Sequence, residues 1–272
     1  MTMQPFQYRR AQSLDEARRL IVNDDASFIA GGHTLLPAMK LGLARPHTLV
    51  DLGGIEELRG VREENGKIVI GAMTPHAEVA ASSTVKKAIP ALAGLASSIG
   101  DRHVRNRGTI GGSLANNDPA ADYPAAVLGL GATIFTDQRE IAADEFFVSL
   151  YETALETDEV ITRVVFPIPQ LAAYAKFRSA ASRFPVVGVF VARTSDGVRV
   201  AVTGAGVQGV FRARALEAAL SEDFRPEALD GLTTDPSRML GDANATPEYR
   251  AHLVVVMARR ALQNLGRAMS YK

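Results

Sequence analysis

The segment Ala30-Gly31-Gly32-His33-Thr34 places two adjacent glycines beside a hydroxyl residue, and Thr109-Ile110-Gly111-Gly112-Ser113 repeats this arrangement about eighty residues later. Adjacent glycines allow positive φ and let the backbone come close to a ligand. Consecutive backbone N–H groups can then converge on an anion, and a hydroxyl adds one more donor. Two such segments in one chain predict a two-sided clamp on a diphosphate.

The common nucleotide-binding patterns do not account for this clamp. The chain has no GxxxxGK[ST], which excludes a P-loop, and no GxGxxG is expected on a strand-to-helix turn. A single Gly-Gly pair is more often a structural turn than a ligand site, so the argument depends on the coincidence of two. The diphosphate is therefore expected to be held in a different way.

Composition excludes several classes of function. The 272 residues include 30 Lys and Arg against 30 Asp and Glu, and a formal charge of zero makes nucleic acid an unexpected partner. The absence of cysteine excludes disulfides, thiolate nucleophiles and iron–sulfur clusters on this chain. Charges between Arg9 and Arg19 leave no signal region, and no uncharged stretch reaches the roughly 18–20 residues that span a bilayer. We therefore predict a cytoplasmic protein without a transmembrane segment.

Hydrophobic periodicity and turn residues predict an α+β fold. Pro167-Ile168-Pro169 is predicted to be a boundary, because two prolines block both a helix and a central strand. The predicted strands are Ser27–Ala30, Thr48–Leu52, Lys67–Ile70, Ala132–Thr136, Val160–Phe166, Tyr174–Ser179, Val186–Arg193 and Val198–Thr203. The predicted helices begin at Ser13 and Leu35, fill Thr74–Ser98 as two or three segments, follow Asp118–Pro124, and begin again near Ala213 and at Thr246-Pro247.

Asp122 is the acidic residue of greatest interest, because it follows Ser113 by nine positions. A carboxylate near a phosphate clamp can accept hydrogen bonds from ribose hydroxyls. The same residue can equally serve as the N-cap of the next helix. The residues alone leave both interpretations open.

No catalytic or metal-binding residue is predicted. The five histidines show no pair with metal-ligand spacing on one helix or strand. The basic run from Arg102 to Arg107 is typical of a solvated face, although it can also contribute to a phosphate field or to a subunit contact. The chain therefore offers no acid–base pair for substrate chemistry of its own.

Three motifs carry a resemblance to a known family: the segment 30–34, the run 102–113 and Asp118-Pro119-Ala120-Ala121-Asp122. Together they resemble the FAD-binding (medium) subunit of molybdenum hydroxylases, whose relatives include the carbon monoxide dehydrogenase medium subunit and the xanthine dehydrogenase flavin domain. The resemblance covers nearly the whole chain. It implies a PCMH or vanillyl-alcohol-oxidase-type FAD-binding domain at 1–168, in two parts at about 1–54 and 55–168. A small α+β domain with a three-stranded sheet and helices follows at 172–272.

The resemblance also implies roles for individual residues. The diphosphate of FAD would lie against Ala30, Gly31, Gly32, His33 and Thr34 on one side, and against Thr109, Gly111, Gly112 and Ser113 on the other. Asp122 would bind the ribose on the adenosine side, Ile161 would lie near the adenine, and Lys176 would reach the flavin. One departure is Phe184, which stands where some relatives have a tyrosine near the ring system.

The implied function is that of an electron-transfer subunit. A molybdopterin-binding large subunit and a [2Fe–2S] small subunit would be its partners, in a dimer of heterotrimers, and NAD or a quinone would be the acceptor. A stand-alone FAD-dependent oxidase and a non-redox nucleotide-binding module are the alternatives. The substrate of such a complex is not encoded in this chain.

Overall fold

A computed structural model describes residues 4–22 and 25–265. The ranges 1–168 and 172–272 predicted from the sequence both include residues outside that part. Among the described residues, no helix combines the length and apolar character needed to cross a membrane. The cytoplasmic location stays a prediction.

Strands and helices alternate irregularly along the chain. The strands are β1 (Gln7–Arg10), β2 (Ala26–Ile29), β3 (Thr48–Asp51), β4 (Val61–Glu64), β5 (Lys67–Gly71), β6 (Thr133–Thr136), β7 (Glu140–Ala142), β8 (Phe147–Ser149), β9 (Glu152–Thr153), β10 (Ile161–Pro167), β11 (Leu171–Arg178), β12 (Pro185–Thr194), β13 (Gly197–Thr203) and β14 (Phe211–Arg212). The α-helices are α1 (Leu14–Ile21), α2 (Leu35–Lys40), α3 (His76–Ala81), α4 (Ser83–Ala88), α5 (Pro90–Ser98), α6 (Arg102–Arg107), α7 (Ile110–Asn116), α8 (Tyr123–Leu130), α9 (Ala143–Phe146), α10 (Arg214–Glu222) and α11 (Pro247–Gln263). These elements confirm the predicted α+β class.

The N-terminal sheet contains three parallel strands in the order β1-β3-β2. The sequence predicts β2 and β3 but misses β1, because Gln7–Arg10 is exposed along its whole length and lacks apolar alternation. One half of the predicted capping box of α1 is present, since Ser13 Oγ accepts the N–H of Glu16 at 3.2 Å. The Glu16 carboxylate accepts the N–H of Gln12 at 2.8 Å, one residue before the predicted partner Ser13. The carboxyl end of β2 leads directly into the first glycine segment.

The second sheet is antiparallel, with the order β4-β5-β10-β6-β7. Ile68 and Ile70 of β5 and Val164 of β10 are fully buried. They belong to a hydrophobic cluster that also includes apolar residues of α5 and α8. This sheet therefore supports α5 and α8, the second of which follows Asp122.

The C-terminal sheet differs from the predicted three strands. It has the order β11-β12-β13-β14, and its fourth strand, Phe211–Arg212, pairs only with Val202 and Ala201 at the edge. Two residues are too short to give a sequence pattern. The first three strands agree with the prediction.

Both faces of this C-terminal sheet are covered. Val187, Val189 and Val191 of β12 pack in one cluster with α10 and α11, whereas Phe190 and Ala192 pack in the cluster of α5 and α8. A strand buried on both faces reads as a continuous apolar run, which explains why β12 is easy to predict. The regions before and after Pro167 share one packed face, and the division at 168 stays a prediction.

The segment Gly204-Ala205-Gly206-Val207-Gln208-Gly209 has the spacing GxGxxG. It follows β13 and precedes the antiparallel strand β14, so it does not form the strand-to-helix turn of a dinucleotide site. Its first glycine has φ +83° and donates its N–H to the carbonyl of Pro119 at 2.8 Å. The glycine is structural here.

Candidate functional site

A cavity of about 650 Å³ lies where the N-terminal sheet, the start of α7 and the loop between β11 and β12 meet. A volume of this size falls within the range typical of small-molecule sites. Eleven of the twelve predicted site residues line it: Ala30, Gly31, Gly32, His33, Thr34, Thr109, Gly111, Gly112, Ser113, Asp122 and Ile161. The twelfth, Lys176, lies behind Asp122.

The first glycine segment supplies free backbone donors. Among the described residues, no hydrogen bond uses the N–H groups of the four consecutive residues Gly31, Gly32, His33 and Thr34. Gly32 has φ +73°, a left-handed conformation that turns successive N–H groups toward one point. Gly31 and Gly32 are half-buried, whereas His33 and Thr34 are exposed. Half-buried N–H groups without a partner are rare in native proteins, so an acceptor in the cavity is expected for those of Gly31 and Gly32.

The second glycine segment is the start of helix α7, not a loop, and its donors are already in use. Ile110 and Gly111 donate to the carbonyls of Thr74 and Ala72 at 3.2 and 2.8 Å, and Gly112 donates to Thr109 Oγ1 at 3.2 Å. The N–H of Ser113 goes to the Thr109 carbonyl at 3.0 Å. This segment therefore forms part of the cavity wall. The hydrogen-bond donor that it presents to a ligand is the Ser113 hydroxyl, because its main-chain N–H groups are already paired.

Glycine is required where the two segments touch. A Cβ at Gly31 would lie 2.3 Å from the carbonyl oxygen of Arg107 and 2.8 Å from Cα of Gly108. Gly112 faces the first segment more loosely, because a Cβ there would lie 3.3 Å from Cβ of Ala30. The paired glycines thus serve loop-to-helix packing as well as ligand approach.

Asp122 occupies the N-cap position of α8, but its side chain does not cap the helix. Its Oδ1 accepts the hydroxyl of Tyr174 and the ammonium of Lys176, each at 2.8 Å. Burial raises the pKa of the Asp122 carboxyl, while the Lys176 ammonium and the Tyr174 hydroxyl act in the opposite direction. The interpretation of the Asp122 side chain as a helix cap is therefore wrong. Its Oδ1 is occupied instead by hydrogen bonds from two residues of β11.

Ile161 and Glu159 also line the cavity. Ile161 is buried at the start of β10. Glu159 accepts hydrogen bonds from Thr136 Oγ1 at 2.7 Å and from Arg139 at 2.9–3.0 Å, and the bonds from Arg139 lower the pKa of Glu159 to about 2. Glu159 is therefore an ionised carboxylate that is held by hydrogen bonds within the protein. It contributes a polar part of the cavity wall, and Ile161 contributes an apolar part.

Two further lining residues were not predicted as ligands. His76 follows Pro75 at the start of α3, and its Nδ1 is buried without a partner among the described residues. Arg183 has φ +64°, rare for a residue with a side chain, and lies on the loop that also carries the half-exposed Phe184. Neither carries a sequence signal, because a lone histidine and a loop arginine are common everywhere.

The burial of His76 gives a pH-dependent prediction. Burial, with smaller contributions from His33 and Arg105, lowers the pKa of His76 from 6.5 to about 4. Between pH 6.5 and pH 4, the His76 side chain is protonated in the unfolded chain but neutral in the folded chain. The free energy of unfolding therefore falls as the pH drops from 6.5 toward 4. The lost contribution is about 3 kcal/mol. Urea unfolding at pH 7 and pH 4.5 should show a smaller loss in His76→Gln than in the wild type.

The control for this prediction is His47→Gln, at an exposed histidine. It should lose as much stability as the wild type over the same pH interval. An equal loss in His76→Gln and the wild type would contradict the burial argument.

No metal centre emerges from the geometry. Within residues 4–22 and 25–265, no three His, Asp or Glu side chains converge as possible metal ligands. The polar groups of the cavity are instead donors, which include the main-chain N–H groups of residues 31–34 and hydroxyls, and acceptors, which include the carboxylates of Asp118, Asp122 and Glu159. This combination fits a phosphate- and hydroxyl-bearing ligand such as FAD.

Comparison with known proteins agrees with FAD as the ligand that these polar groups suggest. Residues 4–169 match the family model described as the FAD binding domain in molybdopterin dehydrogenase. The carbon monoxide dehydrogenase medium chain of Hydrogenophaga pseudoflava is 34% identical over 94% of this chain and 96% of its own. The nicotine 6-hydroxylase medium subunit of Paenarthrobacter nicotinovorans is 33% identical over 98% and 99%.

Comparison with solved structures agrees with the comparison of sequences. A solved structure of carbon monoxide dehydrogenase from Hydrogenophaga pseudoflava, which lacks the Mo-pyranopterin moiety of the molybdenum cofactor, superposes with a TM-score of 0.87. It is 34% identical, and the match covers 97% of this chain and 98% of that one. The similarity therefore extends across both halves of the chain.

Proposed function

This chain belongs to the FAD-binding medium subunits of the molybdenum hydroxylase family, and we propose that it is the electron-transfer component of such a complex. The family assignment makes it an oxidoreductase subunit with an FAD-binding domain. When bound, FAD supplies one- and two-electron redox chemistry at its isoalloxazine ring. The contribution of this chain is to bind and orient that group.

One observation carries the proposal: residues 31–34 line the cavity, and their four consecutive N–H groups have no partner within the part of the chain that the structure describes. A diphosphate presents several oxygens that can accept them. The Ser113 hydroxyl, on the facing start of α7, is the remaining donor of the clamp. We assign the diphosphate mainly to the first segment, and we assign Gly111 and Gly112 to the wall that lets it approach.

The contact between Asp122 and Lys176 changes one expected assignment. If Asp122 bound the adenosine ribose while Lys176 reached the flavin, these residues would serve opposite ends of an extended FAD. Their side chains are instead 2.8 Å apart, and Lys176 also contacts the loop that carries Phe184. We therefore place Asp122 on the flavin side of the diphosphate, facing ribityl hydroxyls or polar atoms of the ring, and place the adenine near Ile161.

The partners follow from what this chain lacks. Without cysteine it cannot ligate the [2Fe–2S] clusters, so we propose a separate small subunit for them and a large subunit for molybdopterin. A dimer of heterotrimers and either NAD or a quinone as acceptor complete the proposal. The relatives' names refer to carbon monoxide and nicotine, and the substrate here belongs to the partner subunit.

Reconstitution tests this function. The purified chain should bind one FAD per chain, and FMN should bind at least about tenfold more weakly because it leaves the end near Ile161 and Glu159 empty. Binding is measured by quenching of flavin fluorescence. Reduction of the bound flavin should require the partner subunits and a substrate of the whole complex. Reduction by a small substrate without partners would indicate a stand-alone oxidase, and a chain that binds ADP but no FAD would indicate a non-redox module.

A further inference from the structure

The hairpin of β8 and β9 displays apolar side chains on the surface. Leu150 and Tyr151 form its turn, and Val148 precedes them in β8. Val148 is 54% and Tyr151 is 61% exposed, and within the described part of the chain the Tyr151 side chain takes part in no hydrogen bond and no ring contact. A tyrosine displayed in this way supplies a large, rigid contact area with one polar end, which is typical of protein–protein interfaces.

The backbone of this turn is strained. Tyr151 has φ +58°, a left-handed conformation that glycine, asparagine and aspartate adopt more readily than tyrosine. A residue held in this region costs free energy of folding, and such residues cluster at functional sites. A tyrosine in place of the usual turn residues therefore indicates a role for its side chain.

Asn117 holds the turn in this shape. Its Nδ2 donates to the carbonyls of Ser149 and Glu152, each at 2.8 Å, and its own carbonyl accepts the N–H of Tyr151 at 3.1 Å. Asn117 is only 2% exposed, and both N–H groups of its amide are in use. The tip is thus presented in one conformation before a partner binds, which lowers the entropic cost of association.

The charge of the surrounding segment is strongly acidic, although the whole chain is neutral. Residues 140–159 contain seven acidic residues and no lysine or arginine. Asp144 and Glu159 are paired with arginines. The other five are exposed and form no ion pair with a described residue: Glu140, Glu145, Glu152, Glu156 and Asp158. Glu145 and Glu152 flank the hairpin turn in sequence, so an apolar anchor with an acidic rim fits an apolar pocket with a basic rim.

The sequence that follows the hairpin decides which partner the surface meets. Leu155 lines the cavity, and the chain then enters β10, whose Ile161 lies where we place the adenine. The [2Fe–2S] small subunit has to approach the flavin, at the other end of an extended FAD, in order to deliver electrons. The hairpin therefore lies on the side of the site that the small subunit leaves free.

We propose that the turn at residues 148–152 anchors this chain to the molybdopterin-binding large subunit, through an apolar pocket that is rimmed by lysine and arginine. The inference rests on the proposed function, since it takes its occupant from the proposed complex. A second copy of this chain does not fit as the occupant, because two acidic rims would face each other and repel.

The test uses the full chain co-expressed with its own large and small subunits, with an affinity tag on the large subunit. Tyr151→Asn removes the ring, and asparagine accepts the left-handed backbone of the turn. After dilution of the purified complex, mass photometry should show that Tyr151→Asn dissociates from the large subunit with a Kd at least about tenfold above that of the wild type. Leu43→Asn, at a leucine that is 79% exposed between α2 and β3, is the matched control and should behave as the wild type.

Charge reversal gives a second variant that leaves the strained turn residue in place. Glu152→Lys and its control Glu63→Lys change the net charge equally, and both glutamates are exposed without an ion pair among the described residues. Glu152→Lys should raise the Kd about tenfold or more, whereas Glu63→Lys should raise it by less than about twofold. The wild-type Kd should rise as the ionic strength goes from about 0.05 to about 0.5 M, and the rise should be smaller in Glu152→Lys.

The outcomes separate this inference from the proposed function. FAD affinity, measured by fluorescence titration, should stay unchanged in all four variants, and a loss of FAD in Tyr151→Asn would overturn the proposal because the turn would then serve the cavity. Wild-type affinity for the large subunit in Tyr151→Asn and Glu152→Lys, or a loss seen only in pull-downs with a tagged small subunit, would also overturn it while the proposed function stands. A wild-type chain that assembles with neither subunit would reject the proposed function and the inference with it.

Discussion

Replacement of Gly31 by alanine is expected to weaken FAD binding by about 100-fold or more, equivalent to about 2.7 kcal/mol. The added Cβ would lie 2.3 Å from the Arg107 carbonyl oxygen and 2.8 Å from Cα of Gly108, and both are backbone atoms. Backbone of this kind cannot move aside as a flexible side chain can, so the first segment must shift away from the start of α7. The N–H groups of residues 31–34 are then displaced from the positions at which we propose that they bind the diphosphate.

A graded comparison sharpens this prediction. Gly112→Ala adds a Cβ that meets Thr109 Oγ1 at 2.9 Å and Ala30 Cβ at 3.3 Å, which is tighter than usual but involves side-chain atoms only. It should lower the affinity by about tenfold, between the wild type and Gly31→Ala. Fluorescence titration with FAD measures all three. Equal affinities for Gly31→Ala and Gly112→Ala would contradict the contact geometry.

The control must separate a local clash from general loss of stability. Gly231 has φ +76°, and an added Cβ there would meet no atom within 4 Å, so Gly231→Ala introduces backbone strain without a close contact. It should lower the free energy of unfolding by about 1 kcal/mol and leave the FAD affinity unchanged. Loss of FAD from Gly231→Ala would show that any destabilised variant releases the cofactor.

The sequence predicts the cavity through local patterns and misses what depends on tertiary contacts. Gly31 and Gly112 are visible because adjacent glycines beside a hydroxyl residue are a local signal. The N–H groups of Ile110 and Gly111 donate to the carbonyls of Thr74 and Ala72. The sequence could not show these hydrogen bonds, because the partners lie almost 40 residues away in sequence. The second segment consequently shapes the cavity wall and provides no free main-chain N–H group between Ile110 and Ser113.

The roles of single charged residues are the least predictable part. Asp122 and Lys176 are 54 positions apart, and only the packing of β11 against α5 and α8 makes them an ion pair. His76 of α3 is buried beside Tyr123 of α8, with ring centroids 5.2 Å apart. Strand β1 is missed for the opposite reason, because it is polar and exposed, and its main-chain pairing with β3 leaves no apolar pattern in the sequence.

Replacement of Arg250 by methionine is expected to have the largest effect on stability, about 3–5 kcal/mol. Arg250 is buried in α11, and its Nη1 donates to the carbonyls of Val186 and Gly204, each at 2.6 Å. Its Nη2 pairs with Asp242 at 2.8 Å. Methionine keeps the apolar stem but leaves two buried carbonyls without these donors. Urea unfolding with the FAD-free chain measures the loss.

Arg225→Met is the matched control. Arg225 is exposed and pairs with the partly exposed Asp223 two residues away, so its removal should leave the free energy of unfolding nearly unchanged. If Arg250→Met proves as mild as Arg225→Met, the carbonyls of Val186 and Gly204 find other donors and the prediction is wrong.

The consequence for the ligand site follows from the chain of contacts beyond Arg250. Gly204 donates its N–H to the Pro119 carbonyl at 2.8 Å, and the neighbouring Thr203 hydroxyl lies 2.6 Å from the Ala121 carbonyl. Arg250 thus stabilises the strand end on which the segment preceding Asp122 rests. Arg250→Met should therefore lower FAD affinity as well as stability, whereas a residue that acts on stability alone would leave the affinity of the folded fraction unchanged. Titration at a temperature where the variant is still fully folded distinguishes these outcomes.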